Sequence, residues 1–198
     1  MDIQIIPRRL EGAVTPPPSK SMAHRLLIAA ALGSGVSTVR NIAFSQDIQA
    51  TLRCMEALGA HWERPEETVI RITGIGAAPA PCPELPRFDC GESGSTLRFL
   101  IPIALAAAGG GVFTGRGRLM ERPQKPYFDL FDEKGIAYRQ EDGVLTVQGR
   151  LTPGTFALPG DVSSQFVTGL LYALPLLEGD SRITLTTPLE SRGYVDMT

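Results

Sequence analysis

Histidine and cysteine are scarce in this sequence, two and three residues among 198. Cys54, Cys82 and Cys90 have no ligand-like spacing. His24 and His61 have no Cys or His neighbour, so no metal site is expected. An odd count of thiols without framework spacing fits reduced cysteines better than a cross-linked secreted fold. Charge of one sign is lacking too. Against 21 acidic residues stand 19 basic ones, for a net charge of -2, which offers no general field for nucleic acid or an anionic membrane. The longest apolar run, "FLIPIALAAAG" from Phe99, is too short to span a bilayer and reads as a core helix. The opening "MDIQIIPRRL" holds no secretory apolar region, and the expected location is the cytoplasm. A P-loop, a Gly-x-Gly-x-x-Gly dinucleotide signature and a serine nucleophile elbow are all missing. Gly115-Arg116-Gly117 is only a loop fragment. No cofactor is expected.

What is present is an ordinary globular composition, 43% hydrophobic and 20% charged, arranged in a repeat. After an opening helix, "GVSTVRNI" from Gly35 reads as a strand. "SQDIQATLRCMEALGA" has helical spacing at Ile48, Leu52, Met55 and Leu58 and stops at Gly59. "HWERPEETVIRITG" reads as two strands around a polar turn. The same order returns as a helix opened by Gly94 and Ser95, the strand "GGVFTGRG", and the helix "RPQKPYFDLFDEKGI" with Pro123 suited to its first turn and Gly135 at its end. A hairpin follows, turning at Asp142-Gly143. A third round starts with "GDVSSQFVTGLLYALPLLEG", "SRITLTT" and the beginning of a helix in "SRGYVDMT". Gly35 stands as far from Gly111 as Gly59 does from Gly135, which argues for repeated units on one core. The third unit lacks most of its second helix and its hairpin, so the chain is expected to be part of a longer protein.

The chemistry points to anions. The first helices of the three units begin Ser19-Lys20-Ser21, Gly94-Ser95-Thr96 and Ser163-Ser164-Gln165. Hydroxyls at helix starts serve as caps. Three such starts in equivalent repeat positions can also converge, turning their free N–H groups and dipoles on one anionic ligand. A lysine at such a start is unfavourable unless an anion sits above it. Arg25 falls one turn after Ser21, and Arg98 one turn after Gly94 and Ser95. Arg122 with Lys125, and Ser191 with Arg192 and Tyr194, open the second helices. Guanidinium forks beside a lysine suit phosphate and carboxylate together.

In the stretches "PPPSKSMAHR", "DCGESGSTLRFLIP", "MERPQKP", "GDVSSQFVTGLL" and "ESRGYVDMT", taken in order, the sequence resembles the 5-enolpyruvylshikimate-3-phosphate synthases (3-phosphoshikimate 1-carboxyvinyltransferases). The resemblance covers nearly the whole chain. It implies an α/β fold of βαβαββ units about a pseudo-threefold axis, enolpyruvyl transferase-like, with the third repeat truncated here. Residues 1–15 would form a strand of the other, mostly missing domain, and residues 16–198 a three-repeat substrate-binding domain. The implied reaction transfers the enolpyruvyl group of phosphoenolpyruvate to the 5-hydroxyl of shikimate 3-phosphate and releases phosphate, on the route to chorismate and the aromatic amino acids. By resemblance, Lys20 touches both substrates and stabilises charge. Ser21, Arg25, Ser163, Ser164, Gln165, Ser191 and Tyr194 hold shikimate 3-phosphate, while Gly94, Arg122 and Gln165 meet phosphoenolpyruvate. The acid–base groups lie in the other domain. No metal, nucleic acid or membrane is implied. The partners are small anions and the C-terminal domain, and the full-length protein is expected to be a monomer. Many members have Asn-Ala-Gly-Thr where this chain has Glu92-Ser93-Gly94-Ser95. Alternatives are a non-catalytic phosphate-binding module, another enolpyruvyl transferase such as the one acting on UDP-N-acetylglucosamine, or an RNA 3′-phosphate cyclase-like protein.

Overall fold

A computed structural model of the chain describes residues 3–9, 11–76 and 84–198. Its first stretch of elements is α1 (Lys20–Leu32), β1 (Val36–Val39), α2 (Gln46–Ala57), β2 (His61–Glu66) and β3 (Val69–Thr73). The second is β4 (Arg87–Asp89), α3 (Gly94–Ala108), β5 (Gly110–Thr114), α4 (Lys125–Lys134), β6 (Ala137–Glu141) and β7 (Val144–Gln148). The third is β8 (Thr155–Leu158), α5 (Ser164–Ala173), β9 (Arg182–Leu185) and α6 (Arg192–Met197). The order read from the residue pattern is therefore present, with two further strands, β4 and β8, standing where a βαβαββ unit has its leading strand. β4 and β8 each precede a helix and pair in parallel with the strand that follows it.

Each stretch has its own sheet. The strand orders are β1-β3-β2, β4-β5-β7-β6 and β8-β9. The β6–β7 hairpin turns at Asp142 and Gly143, both at positive φ, as a two-residue hairpin turn matched to strand twist requires. Ser19, Ser93 and Ser163 cap the first helices, accepting from the backbone N–H of Met22, Thr96 and Gln165. The cap of α3 is thus Ser93, one residue before the Gly94 that the sequence pattern suggested. Pro123 likewise lies ahead of α4. The proline inside its first turn is Pro126, because Gln124 takes the cap position.

The core is built on α3, whose apolar run is buried from Leu97 through Leu105 apart from Arg98. Against it pack Phe88 and Phe113, stacked at 4.9 Å between ring centres, and α5. At Gly169, α5 lies close against α3. A Cβ there would stand 2.3 Å from the Tyr127 hydroxyl and 2.7 Å from the Arg98 carbonyl oxygen. That hydroxyl, buried in the core, donates toward the carbonyl oxygens of Arg98 at 2.8 Å and Phe166 at 3.0 Å. Gly169→Ala is therefore expected to force the two helices apart and lower stability by about 1–3 kcal/mol, the usual range for overpacking. An unchanged urea midpoint would show that α5 can shift freely.

Cys54 and Cys90 are buried free thiols, while Cys82 lies outside the described residues. Among the described residues no helix is long and apolar enough to cross a membrane. Of the expected N-terminal strand, residues 3–9 and 11–15 are described. They carry no helix or strand and are exposed.

Candidate functional site

The starts of α1, α3 and α5 meet around a cavity of about 440 Å³. From α1 come Ser21 and Arg25, from α3 Ser95, Arg98 and Phe99, and from α5 with its cap Ser163, Ser164 and Gln165. Arg122 closes the side toward α4, and Glu190, Ser191 and Tyr194 the side toward α6. Eight of the ten residues that the resemblance assigns to the substrates are thus brought together. The other two are adjacent without lining the cavity. Gly94 sits beneath Arg122, whose Nη1 would stand 2.7 Å from a Cβ at that position. The Lys20 ammonium is turned away and pairs with Asp47 of α2 at 2.6 Å.

The arginines differ in their freedom. Arg25 is only 4% exposed. It donates to the carbonyl oxygens of Ser21 and Tyr194 and to the hydroxyls of Thr168 and Thr198. Four of its five N–H groups are thus engaged, and the guanidinium lies over the Phe99 ring. Arg98 donates to Gln165 Oε1 at 2.8 Å, and Gln165 Nε2 donates to Ser95 Oγ at 2.9 Å. Burial lowers the pKa of both Arg25 and Arg98; guanidinium nonetheless stays charged. Among the described residues no carboxylate pairs with Arg25, Arg98 or Arg122, whereas Arg53, Arg71, Arg116, Arg118 and Arg139 all have one. Three unneutralised guanidiniums face one cavity whose lining contains a single carboxylate, Glu190. Such an arrangement is stable when an anion completes it.

Glu92 lines a different cavity of about 620 Å³ with Asp47, Arg53, Asp89 and Arg116, and is not among the residues that line the cleft with Arg25, Arg98 and Arg122. The sequence reading passed over Asp47, Phe99, Val162 and Glu190. Phe99, Val162 and Glu190 lie inside the stretches that carry the resemblance, and Asp47 has a local signal, as an acid in the first turn of a helix capped by Ser45.

His24 lies under the cleft and is neutral. Burial, the largest influence, pushes it from 6.5 to about 4; Asp47 raises it, while Lys20 and Arg25 lower it. The unfolded chain binds the extra proton between those values, so stability is present above about pH 6.5 and lost as pH falls toward 4. The shift corresponds to a loss on the order of 3 kcal/mol. Urea midpoints taken at neutral pH and near pH 4.5 should show this fall, and His24→Asn should lack most of it. An equal fall in His24→Asn would assign acid lability to other groups.

Comparison with known proteins gives this geometry a context. The family profile described as EPSP synthase (3-phosphoshikimate 1-carboxyvinyltransferase) matches residues 5–198. A 3-phosphoshikimate 1-carboxyvinyltransferase of Clostridium novyi (strain NT) is 48% identical over 207 residues, covering 100% of this chain and 47% of that protein. One from Clostridioides difficile (strain 630) is 47% identical over 206 residues, covering 99% of this chain and 47% of its own length. An EPSP synthase structure from Acinetobacter baumannii superposes with a TM-score of 0.72 at 27% identity, covering 91% of this chain and 42% of that one. The chain spans about half the length of the relatives it matches. It belongs to the EPSP synthase family, with a mixed α/β fold matching part of an EPSP synthase.

Proposed function

We propose that this chain supplies the shikimate 3-phosphate wall of an enzyme that moves the enolpyruvyl group of phosphoenolpyruvate onto the ligand's 5-hydroxyl. The observation that carries the reading is the cavity with Arg25, Arg98 and Arg122 unneutralised at the starts of three helices. In the reaction the 5-oxygen bonds to the enol carbon, the bond from that carbon to the phosphate oxygen breaks, and phosphate leaves. The 5-hydroxyl loses its proton and the enol CH₂ is transiently protonated. Ser21, Arg25, Ser163, Ser164, Gln165, Ser191 and Tyr194 hold shikimate 3-phosphate. Arg122, beside Gly94, takes phosphoenolpyruvate together with Gln165. Lys20 leaves Asp47 to stand between the two anions. An exposed pair of this kind is worth only about 0.2–1 kcal/mol, so a doubly charged ligand outcompetes it.

The three stretches of elements are, on this reading, three related units about a pseudo-threefold axis, the third incomplete. Residues 16–198 form this domain, and residues 1–15 add a strand to a second one. Ile3, Ile5, Ile6 and Val14 are all more than half exposed, and such apolar side chains fit a strand that another domain covers. The second domain closes the cleft and brings the proton-transfer groups. The test is calorimetry of the chain with shikimate 3-phosphate and with shikimate. Saturable binding of the phosphorylated ligand alone supports the reading, and heat from neither ligand counts against it.

A further inference from the structure

Beneath the cleft runs a buried polar chain with no exposure to a ligand. His24 stands on α1 one turn after Lys20, and its Nδ1 is 2.8 Å from Thr51 Oγ1. Thr51 stands on α2 one turn after Asp47, and its Oγ1 is 2.7 Å from Thr96 Oγ1 on α3. Thr96 Oγ1 is 2.7 Å from the Oγ of Ser93, the cap of α3. All four residues are 1% exposed or less. The Lys20–Asp47 pair forms an outer rung above the His24–Thr51 rung. α1 and α2 are therefore joined twice, one turn apart, and α2 is joined to α3 through a single hydroxyl.

A core at this place could have been apolar. Apolar surfaces tolerate sliding, whereas hydrogen bonds fix distance and direction. A buried hydroxyl left unpaired costs more than the paired one contributes, so the chain penalises any shift of one helix against the next. The residues next to its members are those of the cleft. Arg25 follows His24, Ser95 precedes Thr96, and Arg98 comes two residues later. We infer that Thr51 is a positioning residue: through His24 and Thr96 it holds the starts of α1 and α3 at the separation that lets Ser21 and Arg25 share one anion with Ser95 and Arg98. The inference rests on the reading of this cleft as an anion site.

The test compares Thr51→Val, which keeps the side-chain shape and removes the hydroxyl, with Thr51→Ser, which keeps the hydroxyl. Calorimetry with shikimate 3-phosphate and with inorganic phosphate, run well below the melting temperature, should find Thr51→Val about tenfold weaker for both. Thr51→Ser should stay within about twofold of the unaltered chain. Thr96→Val, which cuts only the link from α2 to α3, should weaken binding in the same direction and decides the matter if Thr51→Val does not fold. A folded Thr51→Val or Thr96→Val with a lowered melting temperature and unchanged affinities would overturn the inference and leave the chain a purely structural one. Should the unaltered chain bind inorganic phosphate but shikimate 3-phosphate no better, the substrate reading falls while the phosphate arm still tests Thr51. Binding of neither ligand overturns both.

Discussion

Arg25→Ala is expected to weaken shikimate 3-phosphate binding by about 1.5–3 kcal/mol, the range for hydrogen bonds to a charged group, and to destabilise the fold as well. Both effects follow from the geometry. The guanidinium lines the cavity and also ties α1 to α5 and α6 through Thr168, Tyr194 and Thr198. Removing it leaves the buried Thr168 hydroxyl and the Tyr194 carbonyl without that donor. Lysine is a poor replacement, because a point charge cannot reproduce the fork. Calorimetry and urea unfolding on the same preparation separate the two consequences. A variant that loses stability and keeps full affinity would remove Arg25 from the binding site and leave it as a tie between helices.

The second large effect is on turnover. With both substrates present, the 198-residue chain is expected to release no phosphate above the buffer control. The cavity offers a single wall, and Lys20 is more than half exposed, so the anions stay hydrated and each contact is weakened. Nor does the cleft hold a suitable proton-transfer set. Among the described residues Glu190 is the one carboxylate in its lining, and His24 is buried and neutral beneath it. Joined to the remaining length of the family, the same residues should support release. Lys20→Ala should then reduce it by about a hundredfold or more, the scale for losing one charge-stabilising group. Substantial release by the 198-residue chain alone, abolished by Lys20→Ala, would place a complete catalytic site within these elements and sink the two-wall account.

Local chemistry made much of this legible. The serine caps, the Asp142-Gly143 turn, the glycines that end α2 and α4, and the apolar run of α3 each act within a few residues, so the order of helices and hairpins could be read directly. β4 and β8 could not. They are three and four residues long, and their parallel partners follow an intervening helix, so nothing local marks them. Caps and first turns slipped by a residue or more, as at Ser93 and Pro126, where neighbouring serines or prolines compete for one role. In the candidate site, the residue types at helix starts pointed to Ser21, Arg25 and the Ser163–Gln165 group, which the structure brings to one cavity. Their partners were hidden by distance along the chain. Lys20 meets Asp47 across 27 positions and Arg25 meets Thr198 across 173. Glu190 lies in a loop, at the head of "ESRGYVDMT", where no spacing of its own marks it as lining the cleft, and the polar chain through Thr51 exists only once three helices are packed.

The central claim is that three unneutralised arginines make this cleft a site for a phosphorylated ligand. It is tested most directly by titrating the chain, calorimetrically, with shikimate 3-phosphate and with shikimate under the same salt. The account predicts that shikimate binds at least about tenfold more weakly, the minimum for losing a charge-assisted contact, and that Arg25→Ala narrows the difference. Equal affinities for the two ligands, or a difference untouched by Arg25→Ala, would contradict it.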